Sequence, residues 1–382
     1  MFDGDFAAVP PPSRALAAPM PDYAAYQAAG GVVKAAESTM RDRRRASPPL
    51  AGLLALLCAT GLVGALALFG GWSLGAALWG DGAAGDAAGP LAGLPLLGGG
   101  PGALSALAQP QVTPTPVASP TPVPPPPPVP VLATRRLVTY YGNPYTDALG
   151  VLGEMPRERM LDRLRQQAAA YEADGRPVQP ALHLIATVAQ AAPGDDGMYR
   201  FRMPPEMIDE WANIAEQNGF LLILDVQVGR SSVQEEVEVL RPFLEREHVH
   251  LALDPEFAMS STTFPGRQIG SIAAEDVNWA IDYLADIALT HRFENRVLIV
   301  HQFTDTMIRD KDALVLNDRV DLAVMMDGFG GPALKISQYQ RYITDDPVEY
   351  AGIKLFYKQD HPLMSPADVL SLDPVPDVVT YQ

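Results

Sequence analysis

Asp254-Pro255-Glu256 is the sharpest chemical feature of the sequence. Two carboxylates two residues apart at the end of an apolar run can act on one substrate, and crowding raises the pKa of one of them. A protonated Glu256 can then deliver a proton to a leaving oxygen while ionised Asp254 stabilises or orients the group that attacks an anomeric carbon. Asp225 and Asp327 also close apolar runs, and the four acids together form the expected catalytic set. An acid after a strand can equally cap the helix that follows. Chemistry is favoured because several acids would converge on one rim. Around them Tyr140, Tyr141, Phe303, Phe329 and Tyr357 offer flat apolar faces to pyranose rings, and Gln227, His301 and Gln302 offer hydrogen bonds to hydroxyls. His301 and Gln302 have opposite parity, so only one of them is expected to point inward. Lys354 sits inside an apolar run and is read as the partner of a barrel acid rather than as a Schiff-base lysine.

The elements that must position these groups are apolar runs rich in Val, Ile, Leu, Phe and Tyr: Leu137–Tyr141, Val178–Thr187, Phe220–Gln227, Val249–Glu256, Arg296–Thr304, Asp321–Asp327, Gly352–Tyr357 and Asp377–Gln382. Stretches with helical periodicity lie between them, at Pro156–Ala173, Pro204–Asn218, Ser232–Glu247, Ala274–His291, Asp305–Ala313, Pro332–Tyr342 and Pro366–Leu370. Proline opens several of these and Gly175 and Gly219 follow helix ends, as expected of helix punctuation. Alternation of this kind predicts an α/β fold, a (β/α)8 TIM barrel, in which the chemistry sits where strands end and the following loops begin. Pro255 has no amide hydrogen, so regular pairing should stop near Asp254 and leave Glu256 at the mouth. No helix is expected after the eighth strand, and the stalk junction is expected to cover the bottom or side of the barrel there.

A fourth strand ending in Asp254-Pro255-Glu256 resembles the D-x-E motif of (β/α)8 glycoside hydrolases, the muramidase-type and chitinase-like enzymes among them. The resemblance implies that Glu256 is the general acid, that Asp254 assists the substrate N-acetyl group, and that Asp327, in Met325-Met326-Asp327-Gly328, is similar to the additional carboxylate of the muramidases. The chain departs from the chitinase-like pattern at Val249 and Ala252, where that pattern has further aspartates. It departs from the muramidase pattern in strand one, where Tyr140-Tyr141-Gly142 replaces an acid. It looks closer still to exported bacterial barrels to which no activity is assigned.

The first third of the chain is compositionally foreign to the rest. Residues 1–48 mix Ala, Pro and Gly with scattered charges and read as a disordered tail ending in Arg41, Arg43, Arg44 and Arg45. Residues 49–79 hold no charged side chain, and Leu53–Phe69 within them has the apolar density of a single membrane span. The basic cluster precedes that span while Asp81 and Asp86 follow it, so the positive-inside rule puts the N-terminus in the cytoplasm and the barrel outside the cell. The length of the apolar run and of the segment before it favours a retained anchor over a cleaved signal peptide. Residues 80–131 form a Gly/Ala-rich and then Pro-rich linker, and residues 132–382 hold the barrel. Polyproline II, at about 3.1 Å per residue, would make the Pro-rich part a semi-rigid stalk.

Cys58 is the only cysteine, so no intramolecular disulfide is available and core burial must hold the barrel together. The formal net charge is −17. Nucleic acid is excluded as a partner on that ground, and a carbohydrate polymer is expected instead. Three readings follow. The first is a membrane-anchored extracellular glycoside hydrolase acting on a cell-wall or exopolysaccharide bond. The alternative is a metal-dependent barrel hydrolase, because Asp225, Asp254, Glu256 and Asp327 could cage Mg²⁺, Mn²⁺ or Ca²⁺. The third is a non-catalytic surface module that binds polysaccharide. Strand one carries no His-x-His pair and the histidines are not spaced as zinc ligands, so no metal and no cofactor is assigned.

Overall fold

A computed structural model describes residues 127–382. Its parallel strands are Arg136–Gly142, Val178–Ala189, Leu221–Val226, Val249–Leu253, Arg296–Gln302, Val320–Met326, Tyr350–Leu355 and Val378–Tyr381, called strands one to eight. Each pairs with its neighbours in the chain and the eighth pairs with the first, so the sheet closes into a TIM-type α/β barrel. These strands are the apolar runs of the sequence, taken in order. Both faces of such a sheet are covered, which is why strands five and six are buried at every residue and carry the continuous apolar stretches Val297–Val300 and Leu322–Met326.

Helices Arg157–Ala169, Pro205–Gln217 and Ala274–His291 pack outside the barrel through residues at helical spacing. Met160, Leu164 and Ala168 do so in the first, Ile208, Trp211 and Ala215 in the second, and Val277, Ile281, Leu284 and Ala288 in the third. Gly219, with φ +66°, ends the second and turns the chain into strand three.

Three expected helices differ. The stretch Ser232–Glu247 breaks into Val233–Val239 and Arg241–Leu244. Pro242 cannot donate the amide hydrogen that a continuous helix would need there. No α-helix forms over Asp305–Ala313. Ile308–Arg309 instead pairs with Ile272–Ala273 outside the barrel, and Asp310, at φ +54°, leads into a single 3-10 turn, Lys311–Ala313. The stretch starting at Pro332 is α-helical only to Tyr339, and Gln340–Thr344 follows as a π turn.

A short helix, Val131–Thr134, closes the N-terminal end of the barrel. Val131 and Leu132 join the interior cluster of Leu137, Ile223, Val297 and Val378, and the Leu132 amide donates to Asp321 Oδ2 at 2.7 Å. Leu132 is fully buried. Leu132→Ala is therefore expected to lower unfolding free energy by about 3 kcal/mol in a denaturant titration. A loss below about 1 kcal/mol would mean that this helix is not part of the core. Among the described residues no helix is long and apolar enough to cross a membrane. The tail, the apolar run Leu53–Phe69 with Cys58, and the linker as far as residue 126 lie outside the described residues.

Candidate functional site

Parity and register decide which side chains meet at the C-terminal end of the barrel. Tyr141 in strand one stands opposite His183 in strand two, and Ile185 stands opposite Asp225 in strand three. Asp254 follows strand four, His301 lies in strand five, Asp327 follows strand six and Lys354 lies in strand seven, and all of these are buried. Gly142, at φ +146°, ends strand one with its Cα face against the backbone of Gly150, 2.8 Å from where a Cβ would sit. Only glycine fits that close approach. The turn it permits ends strand one just past Tyr141.

Strand four stops at Leu253, and Pro255–Phe257 continues as a 3-10 turn capped by Asp254, whose Oδ1 accepts from the Glu256 amide at 3.1 Å. The missing proline donor thus ends pairing where the sequence predicts. Glu256 lies on this turn and is 5% exposed. The other Asp254 oxygen, Oδ2, accepts from Gln227 Nε2 at 3.4 Å. Gln227 in turn reaches the Tyr141 hydroxyl at 3.3 Å and accepts the Ala189 amide at 3.0 Å.

Asp327 Oδ2 receives His301 Nδ1 at 2.7 Å and Lys354 Nζ at 3.1 Å. Lys354 thus pairs with a barrel acid, as its position in the sequence suggests, and its ammonium also lies 3.7 Å from the centre of the Tyr141 ring. On the other side of His301, Nε2 faces Asp225 Oδ2 at 3.9 Å, and His183 Nε2 faces the same oxygen at 3.8 Å. The Tyr141 and His183 rings meet edge to face with centres 4.9 Å apart.

Burial and neighbouring charge set the protonation chemistry. Asp254 is pushed up to about 7, first by burial and then by Asp225 and Asp327, against the pull of His301 and Lys354. Burial works the same way on Asp327, but Lys354 and His301 outweigh it and hold that carboxyl below its ordinary value. Burial disfavours charge on both histidines. It prevails at His183, held well below the usual imidazole range with help from His301 and Lys354, and is overcome at His301 by Asp225 and Asp327. Burial and the three carboxylates raise the Tyr141 hydroxyl.

The barrel thus gathers Asp225, Gln227, Asp254, Asp327, Tyr141 and His301 in one cluster, with Glu256 on the turn beside Asp254. It does not bring in the rest of the expected binding set. Tyr140 has the opposite parity to Tyr141 and packs outside the sheet, where its hydroxyl is 3.2 Å from that of Tyr357 and its ring lies edge to face with Tyr381. Tyr357 stacks on Tyr381 and bonds Gln167 of the first outer helix at 3.0 Å. Both tyrosines therefore fill the layer between barrel and helix. Of the pair His301 and Gln302, the histidine points inward, while the Gln302 amide donates to the Thr304 carbonyl.

His183 is the member that sequence reasoning passed over. It is fully buried, and neither ring nitrogen has a hydrogen-bond partner. The available signal was parity: two residues after Ala181, which faces the interior, His183 has the same parity and must face the axis. Fold and cluster define a barrel protein with an acid- and histidine-rich centre at its C-terminal end. No protein-family model matches the chain, and no curated protein does.

Proposed function

We propose that this barrel hydrolyses a glycosidic bond in a cell-wall or extracellular polysaccharide, with Glu256, Asp254 and Asp327 as its working carboxylates. The observation that carries the reading is the meeting of two acids at the mouth: Asp254 and Asp327 each bring an oxygen within 4.8 Å of the other, and Glu256 sits on the turn that Asp254 caps. Glu256 delivers the proton to the leaving oxygen. Asp254, whose Oδ1 fixes the start of the turn carrying Glu256, orients the substrate's N-acetyl group as the attacking or assisting group. Asp327, paired with Lys354, opposes the positive charge that develops at the anomeric carbon. Asp225 lies deeper and supports the cluster rather than touching the sugar. Gln227 and Tyr141 supply the remaining polar and aromatic contacts, and His301 holds Asp327 in place through Nδ1.

The N-terminal third fits such a protein as anchor and stalk. Support comes from the order of charges around Leu53–Phe69, with arginines before and aspartates after, which orients a single span with the barrel outside the cell. The polymer class is tested with the full chain purified in mild detergent. Release of reducing ends is measured on peptidoglycan, chitin-type and galactosamine-type polymers. Release from at least one is the expected result, and a folded protein inert on all of them would refute the reading. A metal-dependent hydrolase is the second reading, favoured by the gathering of His183, Asp225 and His301 within 4.8 Å of one another.

A further inference from the structure

We infer that His183, Asp225 and His301 bind one first-row divalent transition-metal ion, of the Zn²⁺ class, on the axis of the barrel. One donor atom from each lies within 4.8 Å of the others. Asp225 Oδ2 stands between the two imidazoles, 3.8 Å from His183 Nε2 and 3.9 Å from His301 Nε2. Donors on a shared zinc at bonds of about 2.0–2.2 Å lie about 3.4 Å apart in a tetrahedron, so each imidazole stands about half an ångström beyond bonding separation from Asp225 Oδ2, and the two imidazole donors lie within 4.8 Å of each other.

The second observation is independent of that spacing. Both ring nitrogens of His183, both oxygens of Asp225 and Nε2 of His301 are shielded from solvent, and none has a hydrogen-bond partner. Buried polar atoms are ordinarily paired, and a carboxylate and two imidazoles left bare at one spot are what an ion would satisfy together. His301 is oriented for the task. Its Nδ1 lies 2.7 Å from Asp327 Oδ2, so the ring hydrogen belongs there and the Nε2 lone pair is turned toward Asp225. A carboxylate that holds one nitrogen of a metal-binding histidine is the usual supporting arrangement.

Two imidazoles with one carboxylate select zinc, cobalt, nickel or iron over magnesium and calcium, which prefer all-oxygen shells. The inference concerns binding and does not rest on the glycosidase reading, since no polymer assay reports it.

The test uses the full chain in mild detergent, stripped with a chelator and dialysed. Zn²⁺ is titrated by calorimetry and by its effect on the thermal midpoint, and Co²⁺ by its visible absorption. The expected result is one ion per chain, a thermal midpoint that rises with Zn²⁺ and not with Mg²⁺, and intense visible bands from Co²⁺ in a low-coordinate site. Asp225→Asn and His183→Gln should each weaken binding by about 100-fold or more, and Asp327→Asn by about 10–100-fold. If those variants fail to fold, the cobalt form of the parent carries the test through its paramagnetically shifted imidazole N–H resonances, of which two are expected. Absence of stoichiometric binding, affinity unchanged in folded Asp225→Asn and His183→Gln, or a cobalt form with no shifted imidazole signal would each overturn the inference.

Discussion

Replacing Glu256 with glutamine is expected to lower turnover of a natural glycan by about 10³-fold, or about 4 kcal/mol of transition-state stabilisation. The thermal midpoint should move by only a few degrees, because glutamine keeps the shape of the glutamate side chain on its short 3-10 turn. Natural sugars are poor leaving groups and need a proton on the departing oxygen. An aryl glycoside with a nitrophenolate leaving group does not, so most of the lost rate should return on that substrate. Asp327→Asn should behave differently. It removes negative charge from the face where the anomeric carbon becomes positive, so both substrates should slow alike, and it leaves Lys354 buried without its 3.1 Å partner. Equal loss on both substrates in Glu256→Gln would take the proton-donor role away from that residue.

Lys335→Met should cost about 3–5 kcal/mol of unfolding free energy. Lys335 Nζ and Asp360 Oδ2 are 3.1 Å apart, and the two side chains are 0% and 1% exposed. The lysine also donates to the Lys354 carbonyl, while Asp360 accepts amides from Gly330 at 2.7 Å and Phe356 at 2.9 Å. The pair therefore ties the loop after strand six to the end of strand seven. Removing only the cation leaves a carboxylate buried among groups placed for an ion pair. For a domain of this size the loss corresponds to a fall in thermal midpoint of about 10 °C. Lys335→Met combined with Asp360→Asn should recover much of it, because an absent pair costs less than half a pair.

Proton linkage gives an independent check on the same lysine. Burial pushes the Lys335 ammonium from 10.5 down to about 8, even with Asp360 beside it. Between those values the unfolded chain holds a proton that the folded protein has released, so this residue makes stability rise with pH over that window. The rise should be missing from Lys335→Met. A parent protein whose stability is flat or falling there, with no difference from the variant, would contradict the assignment.

The barrel was legible because its strands are apolar runs, most of them closed by polar or acidic residues, a pattern that survives without knowledge of tertiary contacts. Pro255 told where strand four must stop. The helices were legible where apolar spacing was regular, as in Ala274–His291, and misread over Asp305–Ala313, where Ile308–Arg309 finds a partner strand in Ile272–Ala273 that no local pattern announces. At the centre, the acids could be named because they end strands. Tyr140 and Tyr141 could not be ranked until register put Tyr141 opposite His183 and sent Tyr140 outward. His183 and His301 were discounted because metal-ligand spacing is a rule about neighbours in sequence. A barrel instead makes neighbours of residues from strands two and five across its axis, with ring centres 5.6 Å apart.

The most direct test of the central claim pairs binding with cleavage on one amino-sugar oligomer. The parent and Glu256→Gln are compared by calorimetry for binding and by mass spectrometry for products. Hydrolysis by the parent, with the variant still binding the intact oligomer but leaving it uncut, is the predicted result. An oligomer that both proteins bind and neither cuts would mark the barrel as a polysaccharide-binding module. Equal cutting by both would remove Glu256 from the chemistry.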